Sequence, residues 1–133
     1  MVSRKKKTAP KTIAAADFPG AFAGLREMLQ PYEAKLRARE NTEVSYYLER
    51  PASTPHEKPA FFAATKINKN YVSIHLMAAY CFPELLMGMS PDLKKHQQGK
   101  ACFNFTAPDA KLFRELAKLT AAGALKFRNR KTG

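Results

Sequence analysis

Three residues in the second half of the chain have the side chains that a thiol hydrolase combines, namely His75, Cys102 and Asn104. Such an enzyme needs a thiolate paired with an imidazolium that an amide orients. Cys102 and Asn104 lie two residues apart on one predicted strand, which leaves Asn104 badly placed to orient His75. No glycine-rich turn or helix N-terminus follows Cys102 to form an oxyanion hole. The sequence therefore favours a structural cysteine and predicts no catalytic residue, so we do not expect an enzyme.

Metal binding is the next chemistry that these side chains suggest. Cys81, Cys102, His75 and His96 are all ligands that transition metals accept, but they show neither CxxC nor HxxxH spacing. The sequence therefore predicts no preformed metal site and no cofactor. Two cysteines are also too few for a disulfide framework, so both are expected to be free thiols.

Lysines beside a glycine predict a candidate anion site. Lys94, Lys95 and Lys100 lie on either side of Gly99, which is expected to end a helical turn over Asp92–Gln98. A glycine beside exposed amides and lysines can hold a phosphate or a carboxylate. A solvated helix end with three extended lysine side chains is the alternative.

Strands with two different faces would position most of these residues. Residues 71–77 and 101–105 alternate between apolar and polar side chains, which predicts strands that are buried on one face. Residues 44–49 and 61–67 predict two more strands, and residues 68–70 predict the turn of a hairpin. If helices cover the apolar face, the other face collects a varied set of side chains. That set is Ser45, Tyr47, Glu49, Phe62, Lys66, Tyr71, Ser73, His75, Cys102 and Asn104.

We call this uncovered surface the open face. It has three plausible uses, which are a shallow ligand site, a dimer interface and a platform for a partner protein. The alternative is a half-exposed sheet surface with no binding role. The candidate ligand-binding residues are Tyr47, Lys66, Tyr71, Ser73, His75, Cys102 and Asn104.

Helices are expected at both ends of the folded part. Helical spacing of apolar residues predicts a kinked helix, or two abutting helices, over Pro19–Arg39, with the kink at Pro31. The last helix is expected to open at Pro108 and to end at Gly123. This order of elements predicts the α+β class: a two-layer sandwich with an antiparallel sheet of four to five strands and both long helices on one face.

The positive charge of the chain is concentrated at its ends. The formal net charge is +12 over 133 residues. Residues 1–14 and 126–133 are expected to be basic tails around a single domain over 15–125, and they hold most of that excess. Solubilising tails are favoured over a nucleic-acid arm, so nucleic acid is not an expected partner. No apolar run reaches membrane-spanning length and no signal peptide is evident, which predicts a cytoplasmic protein without a membrane partner.

Several segments carry a family resemblance. The residues are YVSIHLM at 71–77, PELL at 83–86, SPDLKKHQQGKACFNF at 90–105 and DAKLFRELAKL at 109–119. They resemble the YdhG-like family of small bacterial domains, over roughly residues 44–119. The resemblance implies an α/β sandwich akin to that of frataxin, and some relatives are described as iron chaperones.

Frataxin-like proteins bind iron weakly through acidic side chains on the first helix and the adjoining strand edge, since iron favours carboxylate oxygens. The carboxylates that the resemblance offers here are Glu27, Glu33, Glu40 and Glu43, and they alternate with basic residues. We therefore expect a non-enzymatic binding domain for a small ligand or a partner protein, and a homodimer is among the expected assemblies. An iron chaperone with bound iron and a weak nucleic-acid binder acting through the basic tails are the alternatives.

Overall fold

The computed structural model describes residues 16–52, 54–56 and 58–131. Six antiparallel strands form one sheet in the order β1-β2-β3-β4-β6-β5. The strands are β1 Arg37–Asn41, β2 Ser45–Arg50, β3 Ala60–Ile67, β4 Val72–Leu76, β5 Gln97–Gln98 and β6 Cys102–Phe105. The helices are α1 Phe18–Leu29, α2 Met77–Cys81, α3 Pro91–Lys94 and α4 Ala110–Lys131, with 3-10 turns at Gln30–Lys35 and Pro83–Leu86. The predicted tail over residues 1–14 lies outside the described residues.

The two long helices cover one face of the sheet, and the predicted α+β class is confirmed. Leu25 of α1 and Leu116 of α4 are fully buried in the same core cluster as Ile74 and Phe103 of the sheet. Burial of apolar side chains from both layers stabilises the sandwich at roughly 25 cal/mol per Å² removed from water. The sheet has six strands rather than four or five. The two strands that the sequence analysis did not predict are β1 and β5.

The first helix is shorter than its sequence pattern predicts. Asp17 caps α1 by accepting a hydrogen bond from the backbone N–H of Gly20 at 2.9 Å. The α-helix ends at Leu29, and the chain tightens into a 3-10 turn that contains Pro31. Proline has no N–H to continue the α-helical pattern and its ring crowds the preceding turn. The predicted break at Pro31 is therefore found, but the predicted end at Arg39 is wrong, since the 3-10 turn ends at Lys35 and Arg37 begins strand β1.

Two further element ends differ from prediction. Helix α4 continues past Gly123 to Lys131, so residues 126–131 of the predicted basic tail are helical. Lys126 of this extension lies 3.1 Å from Glu84, and the Phe127 ring lies 5.2 Å from Phe82. Such contacts hold the last turns against the 3-10 segment below them.

Helix α3 is capped by Ser90 through a 3.1 Å hydrogen bond from the N–H of Leu93 to the hydroxyl. It ends at Lys94, however, and Gly99 lies in the turn between β5 and β6 with a φ of 70°. This left-handed conformation suits glycine. Gly99 is thus a hairpin residue and not the end of a helix.

Candidate functional site

Strand register brings the central candidate residues onto one face. His75 is the direct partner of Cys102, and Ser73 is the partner of Asn104. Their neighbours Ile74 and Phe103 are fully buried on the helix side. The alternation predicted for β4 and β6 is therefore found, and it leaves these four side chains half-buried on the open face.

Strand β3 breaks this alternation. The register with β2 shifts by one residue at Leu48 and Glu49, because β3 bulges there. Phe62 consequently packs on the helix side, with its ring 5.3 Å from that of Tyr32. Phe61 takes the open face instead, so the predicted assignment of Phe62 to this face is wrong.

Three rings line up across the open face. The Phe61 ring lies 4.9 Å from Tyr47 and 5.0 Å from His75, measured between centroids. Ala64 pairs with both Tyr47 and His75 in the register, and its small side chain leaves room between them. We call Tyr47, Phe61 and His75 the aromatic row. It crosses three neighbouring strands, which are spaced about 4.8 Å apart.

A cationic edge adjoins the aromatic row. Glu49, predicted to be exposed, is only 3% exposed and accepts hydrogen bonds from the Nε of Arg37 at 3.1 Å and from its Nη2. Arg39 lies 3.9 Å from Glu49 and 5.5 Å above the Tyr47 ring. Their side chains remain 57% and 64% exposed, respectively. One buried carboxylate therefore holds two guanidinium groups, and a positive charge is left facing outward.

Within the described part of the chain, the remaining predicted ligand-binding residues have no ring contact with the aromatic row. Lys66 is exposed on the open face, opposite Ser45 and Ser73. The Ser73 hydroxyl accepts a 3.1 Å hydrogen bond from the side-chain amide of Asn68. Tyr71 lies in the turn before β4 and not in a strand, and it is 37% exposed.

Burial opposes charge on both titratable groups at the centre of this face. Burial lowers the pKa of His75 and raises the pKa of the Cys102 thiol. At neutral pH these shifts favour an uncharged imidazole and an uncharged thiol. A nucleophilic cysteine requires the opposite shift, because the thiolate is its reactive form. Asn104 lies opposite Ser73 rather than beside His75.

The His75 shift makes stability depend on pH. Well above pH 6.5, the ordinary pKa, His75 is neutral in both the folded and the unfolded chain. Below it, the unfolded chain binds a proton that the folded chain resists, so the free energy of unfolding falls until the lowered pKa is passed. Urea unfolding at pH 7.5 and pH 5 should therefore show a larger loss for the parent than for His75→Gln. Equal losses in both proteins would contradict a desolvated His75.

The predicted anion-binding lysines have separate neighbours. Lys95 lies 3.9 Å from Asp92, whereas the Lys100 ammonium lies 5.6 Å from the centre of the Tyr80 ring. Lys94 is exposed at the end of α3. The structure thus gives Lys95 and Lys100 different partners and does not show them converging on Gly99.

His96 has a structural role in the same region. Its Nδ1 lies 2.8 Å from the carbonyl oxygen of Asn104, and its ring stacks on Phe105 at 4.3 Å. These contacts fix the short β5 strand to β6, where the Asn104 N–H also donates to the His96 carbonyl at 2.9 Å.

Two of the acidic residues named by the family resemblance accept hydrogen bonds within the protein. Glu33 accepts a hydrogen bond from the hydroxyl of buried Tyr46, and Glu40 accepts one from Ser45. Burial, followed by the Glu33 contact, raises the pKa of Tyr46. The Arg26 guanidinium also lies 4.7 Å above the Tyr46 ring. Within the described ranges, no three side chains of the metal-binding types come together.

Two shallow grooves lie away from the open face. One, of about 380 Å³, runs between α1 and α4 and is lined by Gly24, Met28 and Phe113 among others. The second, of about 450 Å³, lies where Phe22 and Arg26 of α1 meet Asn41 and the following turn. Neither groove contains a residue of the aromatic row.

Comparisons of the chain with protein-family models, with curated proteins and with solved structures found no match. The resemblance to the YdhG-like family therefore stays a prediction. No helix in the described part of the chain has the length and apolarity needed to cross a membrane. The open face sets three rings beside two exposed guanidinium groups.

Proposed function

We propose that the protein is a non-catalytic binding domain and that its ligand surface is the open face of the sheet. The ligand class that suits this face is a planar anion. The observation that supports this most directly is the aromatic row, which lies beside Arg37 and Arg39 on the side of the sheet opposite the two long helices.

The rings supply a surface on which a planar group can stack. Aromatic pairs at centroid separations of 4.5–7 Å contribute about 0.5–1.5 kcal/mol beyond the area they bury. Phe61 is already held by Tyr47 on one side and His75 on the other, at 4.9 and 5.0 Å. A ligand ring therefore meets side chains that need little ordering, which reduces the entropic cost of binding.

Charge on this face favours an anion. Arg37, Arg39 and Lys66 outnumber the two carboxylates Glu40 and Glu49 by one charge, although Glu40 is exposed and is the register partner of Tyr47. Glu49 is buried and already accepts hydrogen bonds from Arg37, so it offers no outward negative charge. The exposed N–H groups of Arg37 and Arg39 remain available to a carboxylate or phosphate, and arginine can bind either through two parallel hydrogen bonds. Removal of one such guanidinium should therefore weaken an anionic ligand more than a neutral one.

A titration of the isotope-labelled full chain tests this proposal. Uridine monophosphate serves as a planar anion, and acetate as an anion without a ring. We expect uridine monophosphate, but not acetate, to shift backbone amide signals of β2, β3, β4 and β6. Arg39→Gln should weaken its binding by about 2- to 10-fold, as the loss of a partly exposed charge-assisted hydrogen bond predicts.

The matched control is Lys118→Gln, which removes one positive charge from an exposed position on α4. It should leave the affinity unchanged. Shifts confined to the groove between α1 and α4 would place the ligand elsewhere and contradict the proposal. The absence of amide shifts on the open face with every planar anion tested would contradict it as well.

A further inference from the structure

The open face is broader than one small ring needs. The aromatic row spans three strands, or about 10 Å at the usual strand spacing. Its cationic positions are also spread out, with Arg37 and Arg39 on β1 and Lys66 on β3. The ring planes are inclined to one another, by 41° between Tyr47 and Phe61 and by 62° between Phe61 and His75. A broad surface with several separate rings and separated cations suits an extended ligand that carries repeated planar and anionic groups.

We propose that this ligand is single-stranded nucleic acid, an inference that rests on the proposed use of the open face. Bases stack on Tyr47, Phe61 and His75, and phosphates contact Arg39 at the β1 edge and Lys66 beside the row. Proteins that bind single strands commonly combine aromatic stacking platforms with a positively charged path for the backbone. Each stacked base contributes about 1–3 kcal/mol in such sites.

The Arg39–Tyr47 contact links the two kinds of interaction. The guanidinium lies over the Tyr47 ring, 5.5 Å from its centre, so Arg39 is placed to contact the phosphate of a nucleotide whose base stacks on the neighbouring part of the row. A mononucleotide satisfies one such position, whereas a strand can also reach Phe61, His75 and Lys66. Affinity is therefore expected to rise with the number of nucleotides.

Duplexes fit this surface poorly. Their bases are stacked on one another, so their faces cannot reach the aromatic row. The net charge of +12 still attracts any nucleic acid, because it releases counterions from phosphates without regard to base pairing. Binding by the open face must therefore be separated from binding by charge alone.

Fluorescence anisotropy on the full chain can make that separation. The probes are a labelled 12-nucleotide oligo(U), an oligo(dT) of the same length and a 12-base-pair duplex, each titrated at several KCl concentrations. Phe61→Leu keeps an apolar side chain but removes the ring face. It should weaken both single strands about tenfold and leave duplex binding unchanged.

A charge variant gives an independent measurement. Arg39→Gln combined with Lys66→Gln removes two exposed charges from the open face. For single strands, the slope of log K against log[KCl] should become shallower by about 1.4, or about 0.7 for each lost contact. Lys111→Gln combined with Lys118→Gln removes two exposed charges from α4 and is the matched control. Its slope should stay close to that of the parent.

The outcomes separate this inference from the function on which it rests. If uridine monophosphate shifts the open-face amides but the 12-mers bind no more tightly than it does, single-stranded nucleic acid is the wrong ligand and the proposed function stands. If the 12-mers bind but neither face variant differs from the α4 control, the contacts lie elsewhere in the chain and the inference is overturned. A ligand-free dimer that buries the open face would overturn it too.

Discussion

Replacement of Phe103 by alanine should lower the free energy of unfolding by about 3–5 kcal/mol, the usual cost of deleting a buried aromatic side chain. Phe103 is fully buried in β6, opposite Ile74 of β4. The loss combines the transfer free energy of the ring with the cavity left between the sheet and the helices. Urea unfolding followed by circular dichroism measures it.

The neighbouring residue supplies the control. Asn104 is on the open face, and its backbone rather than its side chain bonds to His96. Asn104→Ala should therefore change the free energy of unfolding by no more than about 0.5 kcal/mol, as substitutions outside the core usually do. Similar losses in the two variants would mean that β6 does not separate a covered face from an open one. The positions of Cys102 and His75 would then be wrong as well.

This alternation was readable from the sequence because the two faces of β4 and β6 differ in chemistry. Val72, Ile74 and Phe103 are apolar and their neighbours are polar, so a period of two stands out. The overall class followed for the same reason, since long amphipathic helices must cover the apolar side of such strands. Tyr47 and His75 of the aromatic row were accordingly assigned to the correct face.

The cationic edge formed by Arg37 and Arg39 could not be predicted from such a pattern. Strand β1, with the sequence RAREN, has no apolar alternation and extends a helical-looking pattern. It becomes a strand only because it can pair with β2 across a tight turn, where the Thr42 hydroxyl accepts a 3.0 Å hydrogen bond from the N–H of Ser45. Charged residues are common on edge strands, where they discourage further pairing. Charge alone gave no hint that Arg37 and Arg39 lie beside Tyr47.

The bulge in β3 could not be predicted from the sequence, for a different reason. Phe61 and Phe62 are identical in type, so neither hydrophobicity nor strand propensity distinguishes the ring that faces the core from the ring that faces out. The shift of one residue opposite Glu49 decides the matter, and a shift of that kind inverts every side chain on one side of it. The central ring of the candidate site was missed on that account.

Introduction of leucine at Gly123 should destabilise the protein by about 3 kcal/mol or more, because it overpacks a contact between two helices. A Cβ at this position would lie 2.3 Å from the Cβ of Ala78 in α2 and 3.4 Å from Leu85. Helix α4 can approach α2 this closely only where a side chain is absent. Thermal and urea unfolding of Gly123→Leu measure the cost, and Gly88→Leu is the control because nothing lies within 4 Å of its Cβ.

The sign of the stability change in Gly123→Ala shows whether Gly123 lies in an exposed helix interior or in a crowded contact between two helices. An alanine in an exposed helix interior is more stable than glycine by about 1 kcal/mol. The same change at a crowded helix contact costs about 1–3 kcal/mol instead. We expect a net loss, and we expect Ala78→Gly to recover most of it in the double variant, since the methyl group then moves from one helix to the other. A gain of stability in Gly123→Ala would instead mean that α4 does not pack on α2 at this residue.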